Sequence, residues 1–175
     1  MTLPATSPFR IACIQINSGN DLAGNLAVLK AMVTAAASNG AQLVLTPEYC
    51  LMMDGSGRVM RDHALPADGG TVLPDLQGLA RALGVWLLVG SLTLKTGEER
   101  MVNRSFLISA TGDVVATYDK IHMFDVTLPD GKVIRESSSY RPGEQAVIAT
   151  TPWGRLGMTI CYDLRFPHLF RALAQ

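Results

Sequence analysis

FRIACIQINSGNDLAGNLAVLKAMVTAAASNGAQLVLTPEYC, residues 9–50, reads as strand, helix, strand, and that order sets the fold class. Within residues 9–16, Phe9, Ile11 and Cys13 fall on one face and Ala12, Ile14 and Ile16 on the other. Both faces are apolar, so this strand is expected to be covered on both sides. Asp21 stands where a helix N-cap belongs, Leu22, Leu26, Leu29 and Val33 recur at helical spacing, and Gly40 stops the helix. Residues 42–46 form a short apolar strand that Pro47 ends. Glu48 therefore falls at a strand's carboxyl end, where open α/β sheets place their ligands.

Outward from there, residues 51–70 are rich in Gly, Asp and Met and read as an irregular loop. A second helix runs from about Thr71 to Leu83, with Leu76, Leu79, Ala80 and Leu83 as its buried stripe and Gly84 as its stop. Residues 85–92 form another apolar strand, and strands at 101–109 and 114–119 are joined by the turn ATGD. Residues 121–145 carry few periodic signals, and a stretch that long is more often a functional loop than a connector. Residues 146–151 and 155–161 read as a hairpin across PWG, and Phe166-Pro167 opens a final helix. The sum is an α/β fold, a mixed sheet with helices packed on it, in one domain spanning residues 1–175.

The composition narrows the function classes. Of 175 residues 48% are hydrophobic and 17% charged, the profile of a packed globule. Fifteen basic residues balance fifteen acidic ones without any basic cluster, so nucleic acid is not an expected partner. No apolar run approaches the roughly 18 residues of a membrane span. Residues 1–10 show no signal-peptide pattern, and a reducing cytoplasm is the expected compartment. Three irregularly spaced cysteines do not make a disulfide framework, and no His/Cys spacing suggests a metal site.

Four side chains are candidates for chemistry. Cys161, in GMTICYDLRFP, lies at a strand end before a helix start, where a helix dipole would lower its pKa. The ordinary alternative is a small buried hydrophobe. Glu48 is a candidate general base, or else a solvated loop-tip charge. Lys120, in TYDKIHMFD, has apolar neighbours and can set a positive charge where an oxyanion develops, or else pairs with Asp119 on the surface. Glu136, in RESSSYRPG, has no local signature. Cys13 is expected in the core and Cys50 in packing near Glu48. His63 and His168 are expected on the surface, and His122 in a structural hydrogen bond. No Cys–His pair of the papain type is visible.

Taken together, LVLTPEYC, YDKIHMFDV, RESSSYRPG and GRLGMTICYDLRFPHLFRALAQ resemble the nitrilase superfamily of carbon–nitrogen hydrolases, from about Phe9 to the end of the chain. Glu136 lies 136 − 120 = 16 residues after the lysine, where the family's second glutamate is supplied. The resemblance implies an αββα-sandwich fold, of which this chain is expected to hold a half with its helices on the outer face, C-terminally incomplete. It implies that Cys161 attacks the acyl carbon, Glu48 is general base, Lys120 with the Tyr162 backbone N–H stabilises the oxyanion, and Glu136 orients substrate or Lys120. It implies a thioester intermediate, no metal or organic cofactor, and a homodimer or higher homo-oligomer. YDKIHMFDV and ICYDLRFP most resemble the Nit branch, the omega-amidases and deaminated-glutathione amidases. Arg165 would then hold a substrate carboxylate, or alternatively pair with Asp163. Two other readings stand beside a small-amide hydrolase: a nitrile or N-carbamoyl amino acid hydrolase on the same residues, and an inactive shortened interaction module.

Overall fold

The computed structural model describes residues 8–175. The signal-peptide reading rests largely on residues outside that range. The chain order is β1 (Ile11–Cys13), α1 (Leu22–Ser38), β2 (Leu43–Leu45), α2 (Gly57–Asp62), α3 (Val72–Leu83), β3 (Trp86–Leu94), β4 (Val102–Ile108), β5 (Val114–Asp119), β6 (Asp125–Thr127), β7 (Val133–Arg135), β8 (Val147–Thr151), β9 (Gly154–Met158) and α4 (Pro167–Ala174), with 3-10 turns at Glu136–Ser138 and Cys161–Arg165. β1 to β5 form one mixed sheet in sequence order: β1 and β3 run parallel to β2, and the β3–β4 and β4–β5 pairs are antiparallel.

The strand period of two sends alternate residues to opposite faces and so builds two cores. Val44, Leu87, Val89, Phe106 and Ile108 join Leu29 and Val33 of α1 and Leu76 and Ala80 of α3. Leu43, Leu107 and Tyr118 face the other way, onto Ala149, Met158 and Ile160 of the β8–β9 segment. Each fully buried leucine here contributes about 1.5–3 kcal/mol. The helices start and stop where the sequence places them. The Asp21 side chain accepts from Gly24 N–H at 3.1 Å, and Gly40 and Gly84 take positive φ just past α1 and α3.

Four expectations change. The first strand is only three residues long and forms one end of the sheet, so Ile11 is 48% exposed and Cys13 is exposed rather than in the core. The loop at 51–70 contains α2, capped by Ser56, whose hydroxyl accepts from Val59 N–H. Residues 121–145 hold the β6–β7 hairpin and a 3-10 turn. The β8–β9 hairpin turns at Pro152-Trp153 as read, but β9 ends at Met158, leaving Cys161 on the turn that follows. Among the described residues no helix is long and apolar enough to cross a membrane.

Candidate active site

The loop bearing Glu48 is shaped by an irregularity in β3. The β3–β4 register shifts between Val89 and Leu92, and Gly90 lies so close to the preceding strand that a Cβ there would meet Thr46 O at 1.6 Å. Only glycine admits that approach. Gly90 N–H then donates to Thr46 Oγ1 at 2.8 Å, Ser91 N–H to Pro47 O at 3.1 Å, and Tyr49 N–H to Ser91 Oγ at 3.2 Å. These bonds hold Tyr49 at φ 54, a left-handed conformation that costs a non-glycine residue energy, and fix the carboxylate beside it.

Lys120 lies just past β5. Its backbone is clamped: its N–H donates to Asn103 O, and its carbonyl accepts from Gly143 N–H at 2.8 Å. Its side chain is 1% exposed and meets two carboxylates. Nζ donates to Glu48 Oε1 at 2.8 Å and to Glu136 Oε1 and Oε2 at 3.0 and 2.9 Å. Burial works against the ammonium, yet Glu48 and Glu136 outweigh it and raise the lysine pKa. Asp119, the alternative partner, is instead bound by Arg104 through two hydrogen bonds of 2.6 and 2.9 Å.

Each carboxylate has further donors. Asn103 Nδ2 donates to Glu48 Oε1 at 2.8 Å, the oxygen that Lys120 also uses. Glu136 accepts from Tyr49 OH at 2.9 Å and from Phe124 N–H at 2.6 Å. The Tyr49 hydroxyl is raised by burial and by nearby Tyr140, Glu136 and Glu48, so it stays a donor.

Cys161 is exposed and opens the 3-10 turn at φ 46, a second left-handed non-glycine residue. The depressed thiol pKa expected from a helix dipole is not found. A short 3-10 turn follows the cysteine, and α4 begins only at Pro167. Partial desolvation and the nearby Glu48 charge push the thiol up to about 11, with Lys120 pulling the other way. The group beside the lysine cluster is therefore a thiol with the Glu48 carboxylate among its charged neighbours.

The structure thus brings Glu48, Lys120, Glu136 and Cys161 together from four separate segments. Tyr162 sits half-buried after the cysteine, its ring edge-on to Phe124 and Phe166. Arg165 is exposed, and Asp163 gives its carboxylate to Tyr118, His122 and Ile160 rather than to this arginine. His122 bonds Asp163, as a structural role requires, and His63 and His168 are exposed. Cys50 is fully buried with Sγ 3.5 Å from Ser91 O, and burial raises it to about 11. Asn103, Tyr49 and Asp163 were not legible as site residues. A buried amide and serine in the apolar run VNRSFLI was the available signal for Asn103. Among the described residues no group of three or more His, Cys, Asp or Glu is arranged to hold a metal ion.

An α/β sheet with a lysine, two glutamates and a cysteine drawn together from the turns and loops beside its strands agrees with the family that the whole sequence matches. The Carbon-nitrogen hydrolase family matches residues 10–175, and the chain belongs to that family, in the Nit branch of the nitrilase superfamily. It is 42% identical over 167 residues to a deaminated glutathione amidase of Yersinia enterocolitica, covering 93% of this chain and 57% of that one. It is 30% identical over 171 residues to an omega-amidase of Danio rerio, covering 97% and 60%. Among solved structures it matches an amidase from Nesterenkonia sp. at TM-score 0.81 and 28% identity, covering 99% of this chain and 63% of that one. That structure carries the acetamide moiety of fluoroacetamide covalently on its active-site cysteine. The chain spans less than two thirds of each of these three relatives.

Proposed function

We propose that this chain carries the catalytic groups of an amidase for small linear amides, working through a thioester on Cys161. In this reading the Cys161 sulfur attacks the amide carbon while Glu48 takes the thiol proton. The carbonyl oxygen becomes an oxyanion facing the Lys120 ammonium, with the Tyr162 backbone N–H as second donor. Glu136 holds the ammonium by both oxygens, so the charge is in place before substrate arrives. Glu48 returns its proton to the amide nitrogen, the carbon–nitrogen bond breaks, and ammonia leaves a thioester. Glu48 then takes a proton from water, the hydroxide adds to the thioester carbon, and the thiolate leaves with a proton to regenerate Cys161.

One observation carries the reading. A buried ammonium is fixed between two carboxylates, and a solvent-exposed thiol lies close enough to Glu48, Lys120 and Glu136 for their charges to act on it. The substrate class follows the Yersinia and Danio relatives: omega-amides of 2-oxo dicarboxylic acids and deaminated glutathione, with the exposed Arg165 guanidinium meeting their free carboxylate. Exposed Leu164 and Phe170 near that turn support a homo-oligomer, which sedimentation would check.

Ammonia release tests the reading on a panel of omega-amides, nitriles and N-carbamoyl amino acids. Cys161→Ala should abolish turnover and Cys50→Ala should leave it intact. Equal activity in both variants would remove Cys161 from the mechanism, and faster turnover of a nitrile or carbamoyl compound would reassign the substrate.

A further inference from the structure

The Asp163 carboxylate is 0% exposed and accepts four hydrogen bonds. Oδ1 takes His122 N–H at 3.0 Å and His122 Nδ1 at 2.7 Å. Oδ2 takes Tyr118 OH at 2.6 Å and Ile160 N–H at 2.9 Å. Because both oxygens are acceptors, His122 carries its proton on Nδ1. Tyr118 OH in turn accepts Ile121 N–H at 3.3 Å, and the His122 ring is stacked on Phe166 at 3.6 Å.

The positions of these donors matter more than their number. Tyr118 and His122 flank Lys120 in the chain, and Ile160 and Asp163 flank Cys161. Lys120 thus lies inside a short span whose two ends bond the Asp163 carboxylate, and Cys161 inside the short span that runs from Ile160, which also bonds it, to Asp163 itself. Within the active-site cluster the sulfur and the ammonium meet only through Glu48, since Lys120 bonds the glutamates rather than the cysteine. Cys161 also holds φ 46, a conformation that persists only where surrounding bonds impose it.

We infer that Asp163, with His122 and Tyr118, is a positioning unit that sets the distance and angle between the Cys161 sulfur and the Lys120 ammonium. None of the three touches the reacting atoms. Their work is to hold the strained cysteine turn against the end of β5, so that the sulfur and the ammonium address the same acyl carbon. His122 supplies the strongest constraint, because its backbone and its ring bond the same oxygen. The inference rests on the amidase reading above.

The test uses 2-chloroacetamide, whose carbonyl can face Lys120 while its chloromethyl carbon alkylates the sulfur with loss of chloride. Saturation kinetics, followed by peptide mapping of Cys161, Cys13 and Cys50, separate the inactivation rate constant from the apparent binding constant. Exposed Cys13 reports intrinsic thiol reactivity, and buried Cys50 reports loosening of the core. His122→Ala should lower the Cys161 rate constant about tenfold, with the binding constant changed less than about threefold. Cys50 should stay unlabelled, and His122→Asn, which keeps a donor near Nδ1, should recover most of the loss. Asp163→Asn should lose at least as much where it folds, because one of its two donor pairs then meets an amide N–H₂. An unchanged Cys161 rate constant in His122→Ala overturns the positioning role while leaving the nucleophile in place. So does a loss accompanied by Cys50 labelling, or one that His122→Asn does not recover. If Cys161 of the unaltered chain reacts no faster than Cys13 and does not saturate, the amidase reading fails and this inference with it.

Discussion

Lys120 donates its ammonium to both carboxylate oxygens of Glu136, at 3.0 and 2.9 Å, from a side chain that is 1% exposed. The same carboxylate also accepts from Tyr49 OH and Phe124 N–H, so three donor residues converge on it. Glutamate is required there because only a carboxylate offers acceptors on both oxygens.

Glu136→Gln therefore should disturb the site more than its size suggests. The new amide N–H₂ must face the ammonium, the tyrosine hydroxyl or the Phe124 N–H, and each is a donor. Turnover should fall about a hundredfold, and stability in urea should drop by about 1–3 kcal/mol. A variant with unchanged turnover would show that Glu136 only fills space.

Glu48→Gln should separate the acidity of the thiol from its usefulness. Burial and the Glu48 charge both raise Cys161, so removing the charge must lower the thiol pKa from about 11 part of the way toward its ordinary 9.0. More thiolate would then form at a given pH, yet turnover should fall by about 10²–10⁴-fold because the proposed general base is gone. Thiolate absorbance, taken as the difference from Cys161→Ala, gives the titration directly. A thiol pKa that stays or rises in Glu48→Gln would place the carboxylate elsewhere.

Gly90→Ala probes the close approach that shapes the Glu48 loop. The added carbon would stand 1.6 Å from Thr46 O, so β3 and the strand-end loop cannot both keep their places. Because the obstacle is backbone, relief by side-chain motion is not available, and a loss of about 3 kcal/mol or more is expected. The urea midpoint of Gly90→Ala, set against Gly78→Ala in α3, where a Cβ meets nothing within 4 Å, checks it.

The sequence carried the frame of this fold because its signals are local. Leu29 and Val33 in α1 and Leu76 and Ala80 in α3 repeat at helical spacing, and all four are buried where that spacing puts them. Asp21 and Gly84 mark helix ends through short-range chemistry. Residues 121–145 looked irregular because β6 and β7 are three residues each, too short to show a period, and they pair only with each other. Apolar alternation places Cys13 in a strand but does not reveal that this strand ends the sheet and leaves the cysteine exposed. For the site, Glu48, Lys120 and Cys161 stand out beside strand ends, while Glu136 has meaning only through a partner 16 residues away. Asp163 shows in the sequence only as a neighbour for Arg165. Its actual partner Tyr118 is 45 residues distant, a pairing no local pattern records.

Asn103 offers the clearest separation of stability from function. It is 1% exposed in β4, and its Nδ2 donates to Glu48 Oε1 while its buried Oδ1 meets no hydrogen-bond donor among the described residues. A half-satisfied amide inside a sheet costs stability, and an apolar side chain of similar shape would remove that cost. Asn103→Leu should therefore hold or raise the urea midpoint. The Glu48 carboxylate keeps its bond to Lys120 in the variant but loses the second donor that fixes its angle toward the thiol. Turnover should drop about tenfold while the Cys161 thiol still titrates, the trade expected when a polar core residue serves chemistry rather than folding. A lower midpoint with full activity would reverse that assignment and make Asn103 part of the scaffold.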